Sequence, residues 1–150
     1  MNCTVFNRGD VGEEPAVIEK AIHTTLLVWR RTPFSWANGQ DCMLSLADYL
    51  MLLGYHDIGA RFRGRYSTRR GCMRVSGFHR DPVKPLADCV AEIPLKVTEQ
   101  PDRGDIGVVD SGGAAAGGLC IGKKWALRSQ AGLLIGLPKS ILISWQVTHV

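Results

Sequence analysis

The chain has 150 residues, of which 45% are hydrophobic and 21% are charged. This composition is typical of a globular domain with its own core and excludes a chain that is mainly disordered. No apolar run reaches the roughly 18 residues that span a bilayer. The net charge of +4 favours an acidic partner without indicating a nucleic-acid-binding protein. We therefore expect one domain over residues 1–150, with 1–12 as an N-terminal extension.

The cysteines and the N-terminus indicate a reducing compartment. The five cysteines are odd in number and form no Cys-x-x-Cys pair, which argues against a disulfide framework or a zinc site; they are Cys3, Cys42, Cys72, Cys89 and Cys120. The first fourteen residues lack the basic-then-apolar order of a secretory signal, so we expect the chain to mature as written. The sequence predicts neither a metal nor a cofactor.

Hydrophobic spacing predicts helices first and strands afterwards. Helices are predicted over 15–30, from an N-cap at Asp41 to a stop at Gly54, over 68–75 and over 82–91. Short runs rich in Val, Ile, Leu and Gly predict five strands with glycine turns between them, at 106–109, 119–121, 125–127, 133–137 and 144–147. Helices followed by a small antiparallel sheet define an α+β fold.

Cys42 is the leading candidate for chemistry, because it lies in the first turn of the second predicted helix. The positive end of the helix dipole and the unpaired amides there favour the thiolate, which is the nucleophilic form. Asp41 is the helix cap, and the side-chain amide of Gln40 can donate a hydrogen bond to an oxyanion. The competing interpretation is a small buried cysteine without chemistry, which is the commoner case.

A thiolate nucleophile needs a general base, and the histidines are poorly placed for that role. His23 lies inside the first helix and His56 follows the second, while His79 lies in an arginine-rich turn and His149 is the penultimate residue. None begins a predicted strand. We therefore interpret each of them as a solvated or packing histidine.

Residues 61–80 are rich in arginine, which suits either an anion receptor or a solvated face. The seven are Arg61, Arg63, Arg65, Arg69, Arg70, Arg74 and Arg80. We favour the solvated face for most of them and a structural role for Arg63 and Arg65, which flank Gly64. Aromatic residues are too few in this segment to favour single-stranded nucleic acid.

Several short motifs occur in the order found in a family of small phage tail-cluster proteins, which the chain resembles over nearly its whole length after Glu14. They are Pro33-Phe34-Ser35-Trp36, Asp41-Cys42, Arg63-Gly64-Arg65-Tyr66-Ser67-Thr68, Gly71, Arg103-Gly104-Asp105, the Gly122 turn, Gly132-Leu133 and Ser144-Trp145-Gln146-Val147. That family is similar in fold to the NlpC-type cell-wall peptidases, which are papain-like cysteine hydrolases of peptidoglycan stem peptides. The resemblance implies one NlpC-like domain with Cys42 in the nucleophile position.

The sequence departs from those enzymes at the histidine. They carry it on a strand of the pattern His-Val-Gly-Ile-Tyr-Ile-Gly, which the resemblance aligns with the segment ending at Gly122. The histidine position then falls on Ala116, and no histidine occurs between Arg80 and Thr148. Loss of the general base and acid costs on the order of 10²–10⁴ in rate. We therefore expect a protein that keeps the fold and has lost the catalytic pair.

The function that the resemblance implies is structural: a hub-associated minor tail protein in the tail tip or baseplate of a phage virion, made in the host cytoplasm. Its expected partners are other tail proteins, such as the hub, the distal tail or the central fibre protein. Peptidoglycan is a further candidate partner, whereas nucleic acid and a membrane span are not expected. The arginine-rich segment and residues 144–150 are the candidate contact surfaces.

Two alternatives remain open. One is an active cysteine peptidase that thins peptidoglycan during cell-wall penetration, with His79, His149 or a residue of a partner as the base. The other is an assembly factor that leaves before the particle matures.

Overall fold

The computed structural model describes residues 13–150, so the N-terminal extension predicted over 1–12 lies outside the described residues. The described chain forms the helices α1 (Glu13–Arg31), α2 (Cys42–Leu52), α3 (Arg69–Ser76) and α4 (Lys84–Val90), followed by the strands β1 (Lys96–Val97), β2 (Ile106–Asp110), β3 (Ala115–Cys120), β4 (Trp125–Ser129), β5 (Gly132–Gly136) and β6 (Ser140–Gln146). The predicted α+β order is confirmed.

The helix ends follow the capping residues in the sequence. Asp41 caps α2 as predicted, because one oxygen of its carboxylate accepts hydrogen bonds from the amides of Met43 and Leu44, each at 3.0 Å. Thr68 caps α3 by accepting from the amide of Gly71 at 3.0 Å. Gly77 ends α3 in the left-handed region at φ +72°, where a residue without Cβ is strongly favoured.

The strands form one sheet in the order β1-β6-β2-β3-β4-β5, and every neighbouring pair is antiparallel. The C-terminal strand β6 therefore lies inside the sheet, paired with both β1 and β2. Trp145 and Val147 are 4% and 0% exposed. Ser144 is buried as well, whereas Gln146, Thr148 and Val150 are exposed. Residues 144–150 are therefore in part core, and their exposed side chains stay the candidate contact surface.

Both faces of the sheet bury apolar side chains. Val108 and Leu119 belong to the main core between helices and sheet, whereas Val109, Cys120 and Trp125 form a smaller cluster. Adjacent residues of one strand are consequently both buried: Val108 and Val109 are each 0% exposed. β2 therefore resembles the strands of doubly covered sheets, which lack a polar face.

The segment Arg103-Gly104-Asp105 connects three parts of the fold. Arg103 forms an ion pair with Glu19 of α1 at 2.6 Å. The phenol of Tyr49 in α2 donates to the carbonyl of Gly104 at 2.7 Å. The buried carboxylate of Asp105 accepts from the amide of Val147 at 2.9 Å. These bonds hold α1 and α2 against the sheet. Within residues 13–150, no helix has the length and apolar character that crossing a membrane requires.

Candidate functional site

The N-terminus of α2 faces a cavity of about 470 Å³. Its other walls come from α3, from β3 and β4, and from the loops before α2 and after α3. The walls are largely apolar and include five aromatic side chains, those of Phe34, Trp36, Phe62, Tyr66 and Phe78. We call this cavity the α2–α3 cleft. Of the candidates named from sequence, it brings together Cys42, Asp41, His79 and Ala116.

Cys42 is the first residue of α2 and is half-buried against β3. Burial raises the pKa of its thiol to about 12, the charge of Asp41 adds to that rise, and a backbone hydrogen bond with Gly117 opposes it. The thiol is therefore neutral at physiological pH. This is the opposite of the thiolate expected from the helix terminus, because desolvation and the adjacent carboxylate outweigh the helix dipole.

Asp41 is 1% exposed, and its carboxylate is fully engaged. One oxygen caps α2, and the other accepts a hydrogen bond of 2.7 Å from the phenol of Tyr66. Burial and the Asp41 charge raise the pKa of Tyr66 well above its usual value. Sequence reasoning missed Tyr66, because it lies in a loop without periodic pattern. Asp41 has the predicted role of helix cap.

The histidines are distributed over different parts of the molecule. His79 lines the cleft that contains Cys42, but it makes no hydrogen bond within the described residues. His56 hydrogen-bonds Glu92 at 3.1 Å, and His23 is exposed on α1. His149 adjoins Val150, whose amide bonds the carbonyl of Leu53 at the far end of α2. The rise of α2 places that end roughly 16 Å from Cys42, which excludes His149 as its base.

The position on β3 that faces Cys42 is Gly117, one residue later than expected. Gly117 pairs with Val108 of the main core, whereas Ala116 pairs with Val109 of the smaller cluster. A Cβ on Gly117 would lie 3.4 Å from the carbonyl oxygen of Cys42 and 3.0 Å from Leu46. Ala116 nevertheless lines the α2–α3 cleft beside Cys42, so both residues of β3 adjoin the site.

The assignment of Ala116 to the histidine position stays a prediction. Ala116 lines the α2–α3 cleft together with Cys42, and it carries no imidazole. The segment aligned with the enzymes' strand continues through Ile121, one residue beyond the end of β3 at Cys120.

Gln40 lies outside the cleft. Its backbone pairs with that of Ser35 through hydrogen bonds of 2.9 and 3.2 Å, and it is not among the residues that line the cavity. The role of Gln40 as an oxyanion donor stays a prediction.

Arg128 is a cleft residue that sequence reasoning missed. It is 3% exposed on β4, and it donates to the hydroxyl of Ser45 at 3.1 Å and to the carbonyl of Thr32 at 2.9 Å. Both partners are neutral, burial lowers the pKa of Arg128, and its Nε has no hydrogen-bond partner within residues 13–150. The Trp36 indole nitrogen, also on the cleft wall, is likewise buried and unpartnered there.

Comparison with known protein families finds one match, a domain of unknown function designated DUF6950, which covers residues 16–147. The chain belongs to this family. No curated protein and no solved structure matches the chain. The DUF6950 description assigns no activity, so the function of this member has to be inferred from its own cleft.

The surroundings of Cys42 in this DUF6950 domain disfavour its thiolate. Burial keeps the thiol neutral, and the Asp41 carboxylate is engaged by the helix cap and the phenol of Tyr66. No group of three His, Cys, Asp or Glu side chains among residues 13–150 is arranged to hold a metal ion. The cleft walls present mainly apolar surface, with Arg69 and His79 at the side of α3.

Proposed function

We propose that this protein is a non-enzymatic component of the tail tip or baseplate of a tailed phage, in which an NlpC-like domain serves as a docking module. The observation that carries the non-enzymatic part is the state of Cys42, whose pKa of about 12 leaves it neutral with no histidine bonded to it in the described structure. The assignment to a phage tail is supported by the order of the sequence motifs, which is an argument from resemblance.

The papain-like identity of the domain is part of the proposal. It is supported by a cysteine at the start of a helix that packs on an antiparallel sheet, with the Cys42 carbonyl close to β3 at Gly117. This is the arrangement that the resemblance implies for the nucleophile position. The missing imidazole and the absence of space beside Gly117 favour a domain that uses this fold for assembly.

The first test separates a structural protein from a peptidase. Purified wild-type protein and the Cys42→Ala variant are incubated with peptidoglycan sacculi, with Cys72→Ala as the matched control because Cys72 is a buried cysteine of the same cleft. We expect no release of stem peptides from any of the three. Digestion that disappears in Cys42→Ala and persists in Cys72→Ala would overturn the non-enzymatic proposal.

The second test asks whether the protein is part of the mature virion. Mass spectrometry of purified virions is expected to detect the chain in the tail, and Cys42→Ala is expected to be incorporated as well as the wild type. A chain that is required for assembly but missing from mature particles is an assembly factor, which would contradict a structural role.

The peptidase remains the second candidate because His79 lines the same cleft as Cys42. If it were the base, His79→Ala would abolish sacculus digestion together with Cys42→Ala. Identical inactivity of the wild type and both variants removes this candidate.

A further inference from the structure

The α2–α3 cleft continues into a second depression of about 620 Å³, lined by Arg69, Arg70, Met73, Arg74, Gly77, His79 and Arg80. We call it the basic groove. Arg69, Met73 and His79 line both spaces, so cleft and groove form one continuous surface with an apolar part and a positively charged part.

The arginines of the basic groove differ from the others that the sequence singled out. Arg63 bonds Asp57 at 2.6 Å and Asp48 at 2.7 Å, and Arg61 forms an ion pair with Glu92. The groove arginines form no ion pair within residues 13–150; they are Arg69, Arg70, Arg74 and Arg80. Four guanidinium groups without carboxylate partners make a receptor for several anionic groups.

The inner wall of the cleft is apolar. The nitrogens Arg128 Nε and Trp36 Nε1 are buried beyond the reach of solvent, so they are not offered to a ligand in the cleft. The cleft therefore presents apolar surface, including Phe62 and Phe78, next to the positive charge of the basic groove.

These two surfaces together favour a polypeptide over a nucleic acid. An apolar side chain of a peptide matches the walls of the cleft, while its carboxylates match the groove arginines. Phe34 packs edge-on against Trp36, with ring centroids 4.8 Å apart. Because the two rings already pack on each other, they are less available to stack on nucleic-acid bases. An acidic peptide carries apolar side chains, acceptors and repeated negative charge on one chain.

We infer that the cleft and the basic groove dock an acidic segment of a partner polypeptide. An apolar side chain of the segment fills the cavity, and its carboxylates bind the groove arginines. The inference deepens the proposed function, on which it rests for the identity of the partner as a tail protein. The chemistry of the site does not depend on that identity.

The experiment is a calorimetric titration of the full chain with defined probes. The first probe is the blocked peptide acetyl-Glu-Glu-Leu-Glu-Glu-amide. Two further peptides carry Gln in place of every Glu, or Gly in place of Leu. We expect the acidic leucine peptide to bind at least about tenfold more tightly than either, and its binding to weaken as NaCl rises from about 0.05 M to about 0.5 M.

Two variants test the two parts of the surface. The double variant Arg70→Gln/Arg74→Gln is expected to weaken binding about tenfold at low salt, while the matched double variant Lys123→Gln/Lys124→Gln, exposed in a turn outside the cleft, changes it by less than about twofold. Met73→Ser removes apolar surface where the cleft meets the groove, so we expect a loss of about fivefold. Melting curves establish that each variant is folded.

Equal binding of the acidic and neutral peptides, or equal losses in the two double variants, would overturn the inference. Tighter binding of a short oligothymidylate would identify a nucleic-acid site instead, and tighter binding of a soluble stem peptide would identify a retained substrate cleft. If no peptide binds but the chain still enters virions, docking uses another surface and the proposed function survives. If the peptide binds but the chain is absent from virions, the tail assignment fails alone.

Discussion

The phenol of Tyr66 donates a hydrogen bond of 2.7 Å to one carboxylate oxygen of Asp41, while the other oxygen of Asp41 caps α2 beside Cys42. One buried carboxylate thus joins the loop before α3 to the start of α2. The same arrangement keeps a negative charge next to the thiol, which helps to keep Cys42 protonated. The group that organises the site therefore also disfavours the nucleophile.

Removing the Tyr66 hydroxyl should destabilise the fold. In Tyr66→Phe the Asp41 carboxylate stays buried and loses its phenolic donor, so we expect the free energy of unfolding to fall by about 1–3 kcal/mol. Tyr55→Phe is the matched control, because its hydroxyl donates to the carbonyl of Thr148 at an exposed site, and there we expect about 0.5 kcal/mol. Urea denaturation measures both; equal losses would contradict the importance assigned to the buried pair.

Cys42 should be unreactive towards alkylation at neutral pH. A pKa of about 12 leaves only about one thiol in 10⁵ ionised at pH 7, so we expect carbamidomethylation at least about 1,000-fold slower than for an ordinary cysteine. The folded-state pKa lies above the unfolded value, so the stability contributed by this group is complete below about pH 9 and is lost as pH rises towards 12. Site-resolved mass spectrometry from pH 7 to 11 checks the rate.

The effect of the Asp41 charge on Cys42 can be measured separately from the role of Asp41 as the cap of α2. Asp41→Asn keeps an N-cap side chain and removes the negative charge, so the pH at which Cys42 becomes reactive should fall. Asp81→Asn is the control, since Asp81 accepts from the amides of Val83 and Lys84 away from this thiol. An unchanged Cys42 profile in Asp41→Asn would show that burial alone suppresses the thiolate.

Gly117 should not tolerate a side chain. The Cβ of Gly117→Ala would lie 3.0 Å from Leu46 and 3.1 Å from the sulfur of Met43, so α2 or β3 must shift. We expect a loss of about 1–3 kcal/mol in the free energy of unfolding, as for other overpacked cores. Gly113→Ala meets no atom within 4 Å and should stay within about 0.5 kcal/mol. Comparable thermal melts of the two variants would place β3 farther from α2 than the structure does.

Arg63 should stabilise the fold in a pH-dependent manner. Its hydrogen bond holds the pKa of Asp57 below the usual value of 3.8, so the associated stability is present above about pH 4 and is lost as pH falls through the folded-state pKa. In Arg63→Met we expect a loss of about 1–3 kcal/mol at pH 7 and a weaker dependence on pH below 4. Chemical denaturation measures the loss, with Arg65→Met as the control. Arg65 is exposed, and within the described residues its side chain hydrogen-bonds only the carbonyl of Arg61, at 3.4 Å. If the free energy of unfolding of Arg63→Met depends on pH below 4 as it does in the wild type, the Arg63–Asp57 pair contributes nothing to stability.

Local signals in the sequence determined the helices and most strands of this protein. The cap at Asp41, the cap at Thr68 and the glycine after α3 each act within one helical turn, so neighbouring residues suffice to recognise them. The sequence did not predict the two-residue strand β1 or the first half of β3, which consists of Ala and Gly. Neither segment has the alternating β-branched residues that indicate a strand. Cys42 was found for the same local reason, since it follows a cap.

Only the tertiary structure decided what surrounds Cys42. The pKa of Cys42 depends on burial by distant segments, and its contact with Gly117 depends on the pairing of β3 with β2. Arg128 follows Leu127 on β4, a strand that is buried on both faces. On such a strand the sequence shows no alternation of apolar and polar residues from which a buried position could be recognised. Helix caps depend on neighbouring residues and can be recognised in the sequence. Desolvation of a side chain and the register of paired strands depend on the whole assembled core.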